Sequence, residues 1–248
     1  MTRLKTIDLN ADLGEGYDDH LILPFLSSCN IACGGHIGDK ESVLNTIRLA
    51  IENNVAIGAH PAYPDRLNFG RKSLDIDLDK LLESIHAQVS LVAEICQQES
   101  VPLHHIKAHG ALYNDMAKNE TLAGVIMDQW HAAFPDAAVY VLSDSIAYNK
   151  GQQKGIKVQG EVFADRAYTN ATELVSRQSS SAVHSERQVI IDQVDNFLDS
   201  KIMDHNGQLH SITVDSICLH GDTNGAVVIA RDIYNHLKSQ NVNITAPQ

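Results

Sequence analysis

The stretch HIKAHGALYN, His105–Asn114, contains a complete junction of the kind that decides this fold. A short run over His105–Ala108 reads as a strand, Gly110 breaks it, and helical spacing of apolar residues begins at Leu112. Lys107, His109 and Tyr113 stand where the strand gives way to the helix. The same pattern recurs outward in both directions. Strands are expected over Thr6–Asn10, Cys29–Ala32, Val55–Ala59, Ala138–Leu142, Ile156–Gly160 and Ser216–Leu219, which makes seven with His105–Ala108. Helices are expected over Asp39–Asn53, Asp77–Gln98, Leu112–Phe134, Ser185–Lys201 and Ala226–Ser239, and a loop over Arg177–Ser185. Strand and helix alternating from end to end imply an α/β fold with a parallel sheet. Seven such units in 248 residues fit a single-domain seven-stranded (β/α) barrel spanning 1–248 better than an open doubly wound sheet.

A barrel of this type collects its reacting groups just past the C-terminal ends of several strands. Here DLNADLGEG brings Asn10, Asp12 and Glu15, and NIACGGHIGD brings His36. GAHPAYPDRLNFGRK brings His60 and Arg71, and KAHGALYN brings Lys107 and His109. GEVFADRAY contributes Glu161, Asp165 and Arg166, and CLHGD contributes His220 and Asp222. Four of the 13 histidines, His36, His60, His109 and His220, therefore share one structural position, while most of the others fall on helices or connections. Glycines beside these residues, Gly58 and Gly110 among them, suit a sharp turn or a close backbone approach at the strand exit.

Two chemistries remain open for this set. Asp12, His60 and His109 are ligand types that bind a divalent metal able to activate water, although no HExxH or CxxC spacing accompanies them. Without a metal, Asp12, Glu15 and Glu161 facing imidazoles supply general acids and bases, with Lys107 and Arg71 as anchors for a carboxylate or a phosphate. Cys33 at a strand end is either a thiol nucleophile or, the commoner case, a small packed hydrophobe. The sequence has no GxxxxGK[ST] phosphate loop, no GxGxxG after a strand and no GxSxG elbow.

Composition narrows the partners. With 19 Lys and Arg against 31 Asp and Glu the formal charge is −12, and no basic run is present, which argues against nucleic acid or an anionic membrane surface. No stretch reaches the roughly 18 apolar residues of a membrane span, and the start MTRLKTIDLN lacks a secretory apolar region, so a cytoplasmic protein is expected. The four cysteines imply neither a disulfide framework nor a zinc ribbon.

Taken in order, DLNADLGE (Asp8–Glu15), NIACGGHIGD (Asn30–Asp39), GAHPAYPDRLNFGRK (Gly58–Lys72), KAHGALYN (Lys107–Asn114), EVFADRAY (Glu161–Tyr168) and CLHGD (Cys218–Asp222) resemble the LamB/YcsF family over nearly the whole chain. Ala108, Lys72 and Thr223-Asn224 depart from the family pattern, and none of these changes removes a titratable group from a strand end. The resemblance implies a distorted seven-stranded barrel of the glycoside hydrolase/deacetylase kind. It further implies ATP-dependent opening of the 5-oxoproline lactam to glutamate, carried out with 5-oxoprolinase subunits B and C. Under that reading Asp12 or Glu161 handles the attacking water, His60 and His109 exchange protons with the ring nitrogen, and Lys107 stabilises negative charge. Asn10, His36, Arg71, Asp165, Arg166, His220 and Asp222 then contact substrate. The nucleotide needs a site without a phosphate loop, on this chain, on a partner, or at their junction. The competing readings are an ATP-independent, metal-dependent deacetylase or amide hydrolase and a non-catalytic small-molecule-binding subunit.

Overall fold

Along the first strand, Asp8, Asn10 and Asp12 alternate with Leu9, Ala11 and Leu13, so a polar row and an apolar row face opposite sides of the sheet. The computed structural model describes residues 3–177, 179–220 and 225–248. In chain order its elements are β1 Thr6–Leu13, β2 Ser28–Ala32, α1 Lys40–Glu52, β3 Ala56–His60, α2 Leu78–Gln98, β4 His105–Lys107, α3 Gly110–Lys118, α4 Glu120–Ala133, β5 Ala138–Leu142, α5 Ile146–Lys154 and β6 Val158–Phe163. There follow β7 Tyr168–Asn170, β8 Glu173–Leu174, α6 Arg187–Leu198, β9 Lys201–Met203, β10 Leu209–Ser211, β11 Ser216–Leu219, α7 Ala226–Ser239 and β12 Asn243–Ile244. Strands β1 to β6 and β11 pair in parallel, and β11 closes onto β1 through Asp8–Ser216 to Ala11–Leu219. The barrel of seven strands is thus present. β12 adds to β1 below the closure, at Thr6 and Ile7.

The apolar row packs outward against the helices. Leu9, Ile31, Ile57, Ile106, Val139, Val162 and Ile217 from the strands meet Ile47, Ile85, Val89, Ile126, Trp130 and Phe197 from the helices in one buried core. The polar row fills the barrel interior in layers, which is where this protein departs from the branched aliphatic filling usual for such barrels. Caps set the helix starts: Asp39 accepts from the Ser42 amide while Ser42 answers the Asp39 amide, and the Asp77 side chain caps α2.

Several expectations need correction. β1 runs to Leu13, β3 to His60 and β6 to Phe163, so Asn10, Asp12, His60 and Glu161 lie inside strands instead of past them. The single helix expected over Leu112–Phe134 is two, because Asn119 takes an extended backbone and its side chain caps the Leu122 amide to start α4. α5 is an addition to the expected helices; Ser145 caps its start and Gly155, at φ +68, ends it. Two antiparallel hairpins, β7–β8 and β9–β10, decorate the segment between β6 and β11. Asp222, with Gly221, Thr223 and Asn224, lies outside the described residues. Among those described, no helix is long and apolar enough to cross a membrane.

Candidate active site

The barrel interior is built upward from β1. At the bottom, buried Asp8 accepts hydrogen bonds from Ser27 (2.6 Å), Ser28 (2.8 Å), Tyr140 (3.1 Å) and Ser216. One layer higher, Asn10 Nδ2 donates to Ser216 Oγ (2.7 Å) and Glu161 Oε1 (3.0 Å), and Asn30 Nδ2 donates to Asn10 Oδ1 (2.8 Å) and Asp12 Oδ1 (2.9 Å). His105 Nε2 lies 2.7 Å from Asn30 Oδ1, which has no proton to offer, so the ring donates. Burial, then His104 and Lys107, hold His105 well below its ordinary pKa, as a neutral ring. Gly58 makes room for that ring: a Cβ there would stand 2.2 Å from His105 Nε2.

The next layer carries the charge. Lys107 Nζ has three hydrogens and three neighbours, Asp12 Oδ1 (2.9 Å), Glu161 Oε1 (3.0 Å) and Cys218 Sγ (3.1 Å). Burial pulls this amine down, but Asp12, with Glu161, outweighs burial and holds it well above its usual value as an ammonium. Burial likewise pushes Asp12 up, and His60 with Lys107 overrides that, keeping the carboxyl ionised well below the usual range. Cys218 is pushed well above the normal thiol range and Cys33 up to about 12, in both cases by burial first, so neither is poised as a thiolate.

Above Asp12, two imidazoles meet head on. His60 Nδ1 lies 2.8 Å from the Lys107 carbonyl oxygen and must donate to it, which leaves Nε2 with a lone pair in the neutral ring. His109 Nε2 lies 3.0 Å from the Phe69 carbonyl oxygen and donates in the same way, leaving Nδ1 with a lone pair. These two nitrogens face each other at 3.0 Å, and with both rings neutral they present two lone pairs to the same point. Asp12 Oδ2 is 3.3 Å from His60 Nε2, and Glu15 Oε1 is 3.4 Å from His109 Nδ1. Burial, then His60 and His36, keep His109 well below its ordinary pKa, so its Nδ1 keeps a lone pair for a proton or a metal ion. One ligand atom from each of Asp12, Glu15, His60 and His109 lies within 4.8 Å of the other three, and all four residues are buried. A tetrahedral ion with ligands at about 2.0–2.1 Å spaces them by roughly 3.3 Å, so the donor set fits a divalent cation of the zinc class. The backbone carbonyls behind both histidines, and His36 Nε2 at 2.9 Å from Glu15 Oε1, supply the orienting contacts such a centre needs.

This cluster forms the floor of a cavity of about 750 Å³. Asp12, Glu15, His60, Lys107, His109, Arg71, Arg166 and His220 line it. Asn10, His36, Glu161 and Asp165 do not: Asn10 and Glu161 stand a layer below, His36 behind Glu15, and Asp165 behind His220. Across from the histidine pair, His220 Nδ1 meets both Asp165 oxygens at 3.0 and 3.1 Å while its ring stacks on Phe163. Tyr113 also lines the wall, and its buried hydroxyl makes no well-formed hydrogen bond among the described residues. Burial and nearby Glu161 hold that phenol protonated, well above its usual value. Tyr113 sits four residues past His109, on the helix turn above the strand exit, and that spacing is the signal that could have ranked it with the candidates.

The LamB/YcsF family profile matches residues 7–248. The A-subunit of 5-oxoprolinase from Histophilus somni (strain 129Pt) is 38% identical over 245 residues, covering 98% of this chain and 99% of that one. The crystal structure of a lactam utilization protein from Thermus thermophilus superposes with a TM-score of 0.91 at 29% identity, covering 98% of this chain and 100% of its own. A family 4 carbohydrate esterase from Streptomyces lividans in complex with acetate shares the fold at a TM-score of 0.51 and 11% identity, each chain covered in full.

Proposed function

The chain belongs to the LamB/YcsF family, and from that premise we propose that it carries out the ring-opening step of a 5-oxoprolinase, hydrolysing 5-oxoproline to glutamate in an ATP-coupled reaction shared with subunits B and C. The relatives named as the A-subunit of 5-oxoprolinase and as lactam utilization protein support the substrate class. The observation that carries the chemistry is the convergence of His60 Nε2 and His109 Nδ1 with two carboxylates, all within 4.8 Å of one another, at the floor of a cavity. Asp12, Glu15, His60 and His109 would hold a divalent ion there, which supplies Lewis-acid polarisation of the ring carbonyl.

The remaining residues divide the work by position. Lys107 donates to Asp12 and Cys218 and pairs with Glu161 at 3.0 Å, so it sets the charge and orientation of Asp12 in preference to meeting an oxyanion. Tyr113 offers a neutral O–H to a lactam oxygen on the opposite wall. His60 and His109 each have one nitrogen tied to a carbonyl, which suits ligands better than proton shuttles. The proton that the departing ring nitrogen requires is the one the attacking water loses, relayed through Nε2 of His220, whose Nδ1 is fixed by Asp165 and whose ring lines the cavity. A lactam is a resonance-stabilised amide with a poor leaving group, and coupling to ATP is the chemical means of activating it. The test is glutamate production from 5-oxoproline by the purified chain, alone and with subunits B and C, with and without ATP and a chelator. Turnover only in the complete mixture is expected. Turnover by the chain alone without ATP would make it a stand-alone metal-dependent amide hydrolase.

A further inference from the structure

The cavity is far larger than a five-membered lactam needs, and its two halves differ in charge. The floor holds Asp12 and Glu15 with Lys107, whose charge is met by Asp12 and Glu161. The outer half is lined by Arg71, Lys72, Lys118, Arg166 and Arg177, and among the described residues a single acid, Glu173, stands with them. The whole cavity draws on six of the chain's 19 basic residues and three of its 31 acidic ones, in a protein of net charge −12. A random sample of this surface would be acidic.

These cations come from separate parts of the chain, so they do not reflect one basic run. Arg71 and Lys72 lie on the loop after β3, with the Arg71 guanidinium 5.0 Å over the Phe69 ring. Lys118 ends α3 and pairs with Glu173 on β8, which joins the two walls of the mouth. Arg166 is buried and bonds the Val175 carbonyl (2.7 Å) and the Ala182 carbonyl (3.1 Å), holding the segment that carries Arg177. Gly110 and Ala111, at the start of α3, line the same space, with the Ala111 amide donating to the Gly70 carbonyl (2.9 Å). Gly110 has φ +56, and a Cβ there would stand 2.6 Å from the Gly70 oxygen, so this approach of the α3 start to the Gly70–Arg71 loop needs glycine.

We propose that the outer half of the cavity is a phosphoryl-anion subsite, which places a phosphate group beside a lactam seated at the floor. The location of the lactam rests on the function proposed above; the anion site rests on the cavity itself. The phosphoryl group can arrive on a nucleotide or on the activated substrate, and the chemistry of recognition, guanidinium and ammonium to phosphate oxygens, is the same.

Calorimetric titration of the isolated, chelator-treated chain with inorganic phosphate, tripolyphosphate and a non-hydrolysable ATP analogue tests this without any reference to turnover. Saturable binding that weakens with salt is expected, and Arg71→Met combined with Lys72→Met, both exposed, should lower affinity about tenfold or more. Circular dichroism confirms that the variant is folded. Equal affinity for tripolyphosphate and the analogue means the adenosine part is not held here; tighter binding of the analogue seats the nucleotide in this cavity. Either result supports the subsite. Absence of saturable binding by all three anions, or unchanged affinity in the folded double variant, overturns it. Intact anion binding with no ring opening by the assembled enzyme would instead remove the catalytic reading and leave the subsite standing.

Discussion

Asp8 and Asp12 lie four residues apart on one strand, face the same barrel interior and are both buried, yet their surroundings are opposite in kind. Asp8 is surrounded by hydroxyl donors from Ser27, Ser28, Tyr140 and Ser216, and each oxygen is served. Asp12 faces a lysine on one oxygen and, on the other, only a long contact of 3.3 Å to an imidazole nitrogen. Buried polar groups in folded proteins are satisfied as a rule, so a completed set marks structure and an incomplete one marks a place kept for something else. The lower layer holds the barrel together; the upper layer brings together a donor set that fits a cation.

The sharpest way to break this comparison is to remove a ligand that Lys107 does not depend on. His109→Gln should lower ring-opening turnover by more than about a hundredfold, since even second-layer contacts to a metal are worth about 10–100-fold. Metal content should fall with turnover while the melting temperature stays near that of the metal-free parent. Retention of both metal and activity would reduce the histidine pair to packing. Next in size is the stabilisation by the metal itself: zinc or manganese at about a hundred times its dissociation constant should add about 2.7 kcal/mol to unfolding of the native chain and nothing comparable to His109→Gln. Equal shifts in the two proteins would move the metal elsewhere. Tyr140→Phe probes the lower layer, where it deletes one donor to Asp8 and leaves the ring that stacks on His105. It should cost about 1–3 kcal/mol in urea unfolding with turnover per folded molecule unchanged; lost turnover at full stability would erase the division between the layers.

How much of this was legible in the sequence follows from the same two residues. All seven barrel strands were readable from alternation and turn signals, and the resemblance to the LamB/YcsF family independently indicated the same barrel. The end of β1 was not, because Asn10 and Asp12 read as polar loop when strands are sought as apolar runs. The period of two in Asp8-Leu9-Asn10-Ala11-Asp12-Leu13 was the available signal, and it indicates a polar barrel interior. The convergence of His36, His60 and His109 was visible as strand-exit residues, but their tautomers depend on the carbonyls of Lys107 and Phe69, which only the folded backbone brings near. Lys72, Lys118 and Arg177 carry no local motif. Their grouping exists only because α3 and the β7–β8 hairpin close over the barrel mouth.

The finest test asks whether four hydroxyls fully compensate a buried carboxylate. Burial raises Asp8 above its ordinary value of 3.8, and the hydrogen bonds from Ser216, Ser27, Ser28 and Tyr140 only partly oppose it. The folded chain therefore binds this proton more tightly than the unfolded chain does. The stability it contributes is fully present below 3.8 and is lost as pH rises through the higher folded value. Asp8→Asn has no such proton, so the stability difference should move in favour of the variant as pH rises through that window, by about 1.4 kcal/mol per unit by which the folded value is raised, and then level off. Urea unfolding of both proteins across that range measures the difference directly. A flat difference would mean that hydroxyl donors balance the loss of water completely. A difference moving against the variant would mean they more than balance it, and the bottom of the barrel would then be a built anion site in its own right, differing from the top only in the charge it is made to hold.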